Sequence, residues 1–303
     1  MENSNEPIVA STIIRRQFKH ELITKTKKSM ELAKIYDVIK KNNILIKIDC
    51  SSNHLIPGIN TSPYMLEAVI KNIKYKLPES KIIVADYINN SNNFKTWGVA
   101  DICKNNNVKL INLKHVKKEK INNIKIPKIL LEVDHVISIS PLRTDKKYQI
   151  YTPISNLLNI TNNNIEIKKK LKTILENINL SFAIIDATIS FIEDKNIKKT
   201  VIMDTIISSK DFLAISNTAS NIFSINYKKI KHLEIANKLN YGNPFYKLIG
   251  DFSEQKINLK KEKRNIIEKI KEYFWYKFKA KKLAKKTIEK NILYTLEFES
   301  LIK

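Results

Sequence analysis

The chain has 303 residues, 43% of them hydrophobic, and a formal net charge of +24. That is apolar material enough for a full core, while two cysteines exclude a disulfide framework, a structural zinc site or an iron–sulfur cluster built from the chain's own thiols. The charge points toward a polyanion, yet arginine, the residue suited to bidentate phosphate contacts, occurs only at Arg15, Arg16, Arg143 and Arg264, and the lysine excess has the form of an A/T-rich coding bias.

The N-terminus, MENSNEPIVA, lacks a basic region followed by an apolar one, and no apolar run approaches the roughly 20 residues that span a bilayer. The expectation is a soluble, cytoplasmic protein. Residues 1 to about 42 read as an extended lead and a helix, ELITKTKKSMELAKIYDVIKK, with Leu22, Met30, Leu32, Ala33, Ile35 and Val38 as its apolar stripe. Ile44, Leu45, Ile46 and Ile48 then have the spacing and β-branching of a buried strand. This strand opens into a polar loop carrying Lys47, Asp49, Cys50, Ser51, Ser52, Asn53 and His54, turned by Pro57-Gly58. Thr61-Ser62-Pro63 starts a helix by N-cap and early-proline logic. Polar groups at the carboxyl end of a strand, facing a helix N-terminus, are where open α/β sheets bind ligands.

Farther on, KIIVADY (Lys81–Tyr87) is a strand, Trp97–Lys104 a helix and VKLINL (Val108–Leu113) a strand. Strands alternating with helices over short connections predict βαβ crossovers and a mainly parallel sheet with helices on both faces. NNIKIPKILLEV holds a small strand interrupted by Pro127, and DHVISIS (Asp134–Ser140) is a further core strand running into Pro141-Leu142-Arg143-Thr144-Asp145. A helix over Glu166–Glu176 follows an asparagine-rich loop. FAIIDATISF and TVIMDTIISS are two long β-rich runs, and helices over Phe212–Ile222 and Lys229–Leu239 precede a Gly242-Asn243-Pro244 turn and a short strand, Lys247–Phe252.

Beyond Ser253 the composition changes to a lysine-rich segment of helical period with Tyr273, Phe274, Trp275, Tyr276 and Phe278 at its centre. The organisation expected is therefore a lead and helix over 1–42, an α/β domain over 43–252 and a basic helical appendage over 253–303. Such an appendage offers three readings: an amphipathic helix packed on the domain with its lysines solvated, a nucleic-acid-binding or scaffold element, or a membrane-surface helix.

The order of motifs resembles the prokaryotic family called domain of unknown function 362. Ile46-Lys47-Ile48-Asp49, with Pro57-Gly58 and Thr61, is similar to its strand, "IKPN", Pro-Gly and Thr series. Asp86 stands where the family has an acidic residue, and Gly98 at a helix start. DHVISISPLR resembles "D-x-V-I-N-V-P-K-x-K-T-H", Ser155-Asn156-Leu157-Leu158 falls near "KNL", and IIDATISFIE is similar to the "I-x-D-A/G" strand. Ser209-Lys210-Asp211 with Ala214 resembles "S-x-D-x-x-A-x-D", and Gly242 and Gly250-Asp251 match the closing turn and strand. Departures are equally plain: Ile48 and Asp49 replace Pro and Asn, Arg143 stands for lysine, Asp145 for histidine, Ser155 for lysine and Ser216 for an aspartate. The ferredoxin-like cysteine cluster of many relatives is absent. The family has been likened to the α/β domain of lactate-racemase-like proteins, whose histidine-rich metal site has no counterpart here; the resemblance thus implies a degenerate or re-purposed member and names no cofactor and no metal.

The candidate site is a small-molecule or anion site at the strand ends. Lys47, Thr61, Arg143, Thr144 and Asn156 are its candidate binding residues, and Asp49, Asp145 and Asp186 its candidate acid–base groups. Lys47 and Asp49 share a face by alternation, so they either pair with each other or hold an anion. Arg143 either clamps a carboxylate or phosphate or bridges to Asp145 or Asp134. Cys50 and His54 share a loop and offer a thiolate–imidazole pair against the alternative of a buried thiol and an exposed histidine. Asp186 and Asp204 lie inside strand runs, where an unpaired carboxylate is costly; Ser209 and Asp211 read as a helix cap. The remaining histidines show no metal-ligand spacing.

Overall fold

The alternation of apolar strand and amphipathic helix between residues 43 and 113 folds as the periodicity dictates. The computed structural model describes residues 6–15, 19–40, 43–54, 56–161, 165–194 and 197–251. The lead contributes β1 (Ile8–Ile13), followed by α1 (Lys19–Leu32) and the short α2 (Ile35–Val38). Two βα units and a closing strand come next: β2 (Asn43–Lys47) and α3 (Pro63–Lys76), β3 (Lys81–Asp86) with α4 (Asn92–Thr96) and α5 (Val99–Asn105), then β4 (Lys109–Asn112). A separate hairpin of β5 (Lys118–Ile121) and β6 (Ile124–Pro127) leads through α6 (Ile129–Glu132) to the long β7 (His135–Asp145) and to β8 (Gln149–Tyr151). After α7 (Pro153–Leu158) and α8 (Ile167–Asn177) come the two longest strands, β9 (Leu180–Asp194) and β10 (Ile197–Ser209). α9 (Phe212–Ile222), α10 (Lys231–Lys238) and β11 (Lys247–Gly250) complete the described chain.

One nine-stranded sheet holds these elements together, in the order β11-β1-β10-β9-β7-β2-β3-β4, with β8 paired to the outer part of β7. The strands from β9 to β4 are mutually parallel, as the crossover pattern predicts. The expectation of a mainly parallel sheet needs refinement at the other end. β9 and β10 are antiparallel, as are β10 and β1, so the sheet is mixed. Only two residues separate β9 from β10; a parallel crossover needs a dozen or more.

Helices cover both faces. Ile44, Ile46, Ile137, Ile139, Phe182 and Ile184 point to a core shared with α1, α3 and α5. Leu45, Val136, Ala183 and Ile185 point the other way, to a core shared with α7, α8, α9 and α10. The period-2 alternation along each strand therefore feeds two cores, and the near-continuous apolar runs are those of a sheet buried on both sides. Each fully buried Ile or Leu of β2 contributes about 1.5–3 kcal/mol. The lysine-rich segment read as a C-terminal extension lies outside the described residues.

Candidate functional site

β2, β7 and β9 run parallel, so residues far apart in sequence reach the same edge of the sheet. Lys47 ends β2 in register with Ser138 of β7, and Pro141 of β7 pairs with Asp186 of β9. Around this edge three polar groups of residues assemble.

The first is centred on Lys47, whose side chain is fully buried. Its ammonium donates to Asp86 Oδ1 at 2.5 Å, Asn156 Oδ1 at 2.7 Å and the Ile48 carbonyl at 2.7 Å. All three protons are used, which is how a buried ammonium escapes the cost of lost hydration. Asp86 in turn accepts from the backbone N–H of Cys50 at 2.6 Å and of Tyr87 at 2.7 Å. Burial pushes the Asp86 carboxyl upward from its ordinary range, against the pull of the Lys47 charge. Asn156 is placed by a capping box at the start of α7, where Thr152 and Ser155 satisfy each other's backbone N–H groups. Its amide nitrogen donates to Ser138 Oγ at 3.0 Å, so β2, β3, β7 and α7 are tied at one point.

The second group is centred on Arg143. Its guanidinium donates to Asp145 Oδ2 at 2.5 Å and Asp49 Oδ2 at 3.1 Å, and lies 4.0 Å from the centre of the Tyr151 ring. Burial disfavours the charged guanidinium, but Asp49, Tyr151 and Asp145 outweigh it and hold the pKa above its ordinary value. Nε is buried without a hydrogen-bond partner. Asp49 is fixed from its other side by Ser51, whose hydroxyl donates to it at 2.6 Å. Thr61 locks the loop to the sheet: its hydroxyl accepts from Asp49 N at 2.9 Å and donates to the Ile139 carbonyl at 3.0 Å. Gly58 lets the loop close. It has φ +83°, and a Cβ there would lie 2.8 Å from the Ile189 carbonyl oxygen and from the Phe191 nitrogen of β9.

The third group is Asp186, which accepts from Ser62 N at 3.2 Å at the start of α3 and from the Thr188 hydroxyl at 2.7 Å. Burial raises its pKa, against these hydrogen bonds. Thr144 stands apart, bonded through its hydroxyl to the backbone of Glu193.

The structure thus brings Lys47, Asp49, Thr61, Arg143, Asp145, Asn156 and Asp186 to one rim. The pairings differ from the simplest reading: Lys47 bonds Asp86 rather than Asp49, and Asp49 takes Arg143. The Cys50–His54 pair is not formed. The Cys50 thiol is buried against the Asn93 carbonyl at 3.6 Å, and burial, with the Asp86 and Asp49 charges, pushes its pKa up, while His54 is exposed. Asp211 caps α9 as expected, accepting from Leu213 and Ala214 N–H at 2.8 Å, and Ser209 accepts from Asp211 N. Asp204 sits at the irregularity in the β9–β10 register with φ +49°. Among the described residues no group of three or more His, Cys, Asp or Glu side chains is arranged to hold a metal ion.

Sequence reasoning did not include Asp86 or Tyr151 in the site. Asp86 was legible as the acid ending the strand after β2; Tyr151 has no pattern that announces it.

Residues 44–221 match the family described as domain of unknown function (DUF362). The chain belongs to the DUF362 family. Its match spans the Lys47 loop, β7, Asn156 and β9, so the whole rim lies within the family region, and its two cysteines leave no room for a cysteine cluster. No curated protein matches the sequence. Among solved structures, the chain is similar to the lactate racemase apoprotein from Thermoanaerobacterium thermosaccharolyticum, at 11% identity and a TM-score of 0.48, over 72% of this chain and 57% of that one. The chain therefore spans little more than half of that protein's length, and a likeness of this size carries no inference about activity. No helix among the described residues is long and apolar enough to cross a membrane.

Proposed function

We propose that this DUF362 member binds a small polar molecule carrying an anionic group at the carboxyl edge of its sheet, with Arg143 as the anchor. The supporting observation is a gradient of exposure. The side chains of Lys47, Asp86 and Asp49 are 0–2% exposed, whereas Arg143 and Asp145 keep 13% and 15%. The inner groups form a floor whose hydrogen bonds are spent within the protein; the outer pair is what a ligand meets.

Charge refines the ligand. Arg143 already faces two carboxylates, so a bare anion must displace one of them. A molecule that offers an acceptor to Arg143 and a hydroxyl or amine donor to Asp145 matches both members of the pair without leaving either unpaired. Within this reading Asp145, the partly exposed carboxylate, is the group placed for proton exchange with the ligand. Asp49 and Asp186 position Arg143 and the start of α3, and Lys47, Thr61 and Asn156 hold the floor.

The test is a thermal-stability screen of hydroxy-carboxylates, amino-carboxylates and small phosphate esters against the wild-type chain and Arg143→Lys. A binder at 100 times its Kd adds about 2.7 kcal/mol to stability. Arg143→Lys keeps the charge but loses the planar fork, and is expected to abolish most of that gain. A ligand that stabilises both proteins equally, or a panel that stabilises neither, contradicts the reading.

A further inference from the structure

A concave surface lies between the turn of the β5–β6 hairpin and α8, and shares no residue with the rim. Its volume is about 680 Å3; Lys120, Asn122 and Asn123 line the hairpin side, and Lys169, Lys172, Thr173 and Glu176 the helix side. We propose that this cleft binds a small, multiply charged anion of the phosphate class.

The charge in the cleft is unbalanced, unlike that of the lysines matched along their own helices. Lys27, Lys71, Lys128 and Lys238 each meet a glutamate four residues away on their own helix or turn. In the cleft, three ammonium groups face one carboxylate: Lys172 reaches Glu176 at 3.7 Å, and Lys120 and Lys169 have no ion pair among the described residues. Clustered like charges repel, and an anion between them relieves the repulsion. The other lining side chains are two amides and Thr173, whose hydroxyl donates to the Lys169 carbonyl. Asn122 and Asn123, at φ +49° and +64°, form the two-residue turn between the paired Ile121 and Ile124, and their side chains add neutral donors at the lip. With no apolar side chain in the lining, the cleft suits a hydrated anion rather than a ligand with an apolar body. Both walls are held in place from behind: Ile124 and Ile126 of the hairpin and Leu171 and Ile174 of α8 are buried in the same core. The volume is that of a small-molecule pocket.

Calorimetric titration of the full chain with tripolyphosphate tests this. Lys169→Gln/Lys172→Gln is compared with Lys95→Gln/Lys104→Gln, an exposed pair on α4 and α5 on the opposite face of the sheet that removes the same charge. The cleft variant is expected to weaken binding by about tenfold or more, the control pair by less than about twofold, with affinity falling as salt rises. Equal losses in the two variants, or no saturable binding by the wild type, overturn the proposal. So does single-stranded RNA binding that depends on Lys169 and Lys172 while tripolyphosphate does not bind.

Discussion

Lys47 and Asp86 lie 39 residues apart in sequence and form an ion pair 2.5 Å long, with side-chain exposures of 0% and 2%. The pair joins the ends of two adjacent parallel strands and, through Asn156, a helix from the far side of the sheet. Breaking it by Lys47→Met leaves the Asp86 carboxylate buried and uncompensated, with an expected cost of about 3–5 kcal/mol. Replacing both members with apolar residues removes the stranded charge, so Lys47→Met/Asp86→Leu is expected to be more stable than Lys47→Met alone. Urea denaturation of the three proteins measures both differences.

The two thiols are expected to be inert in the folded protein. Cys50 and Cys103 are 0% and 2% exposed, and burial pushes both pKa values up, that of Cys103 to about 12. Since the thiolate is the reactive form, a thiol reagent such as DTNB should label neither cysteine until denaturant is added and then label both. Rapid labelling of Cys50 in the native protein would restore a nucleophilic role for the loop.

Buried His232 sets a pH dependence. Its ring meets the Thr152 hydroxyl at 3.3 Å and the edge of Tyr148, and burial pushes its pKa down to about 3 from 6.5. Below pH 6.5 the unfolded chain binds a proton that the folded chain refuses. Its stabilisation is therefore complete above pH 6.5 and is lost as pH falls toward 3, with a slope of up to about 1.4 kcal/mol per pH unit. In His232→Gln this component disappears, and the stability–pH curve from urea midpoints should flatten by about one proton over that window.

Much of the rim was legible because its parts sit where sequence signals are strongest. The β2 run, the Ser62-Pro63 helix start and the core stretch of β7 each carry local chemistry that needs no partner to be read. What was not legible depends on pairing across the sheet. Which carboxylate takes Lys47 is decided by the register of β2 on β3, and Asp49 and Asp86 are equivalent until that register exists. Strand direction was missed in part: the two residues between β9 and β10 signal a hairpin, but the β-rich runs alone do not. β1, read as an extended lead, has the composition of a strand, and only its partners β10 and β11 make it one. α7 is six residues long, too short for periodicity, and its available marks were the Thr152–Ser155 capping box and Pro153 in the first turn.

The central claim is that these distant residues act as one unit, and a double-mutant cycle between Asp49 and Arg143, 94 residues apart, tests it most directly. With Asp49→Asn, Arg143→Lys and the double variant compared by urea denaturation, a coupling energy of about 1–3 kcal/mol is expected. Stability changes that add to within about 0.5 kcal/mol would show that the two do not share a site, and would contradict the account.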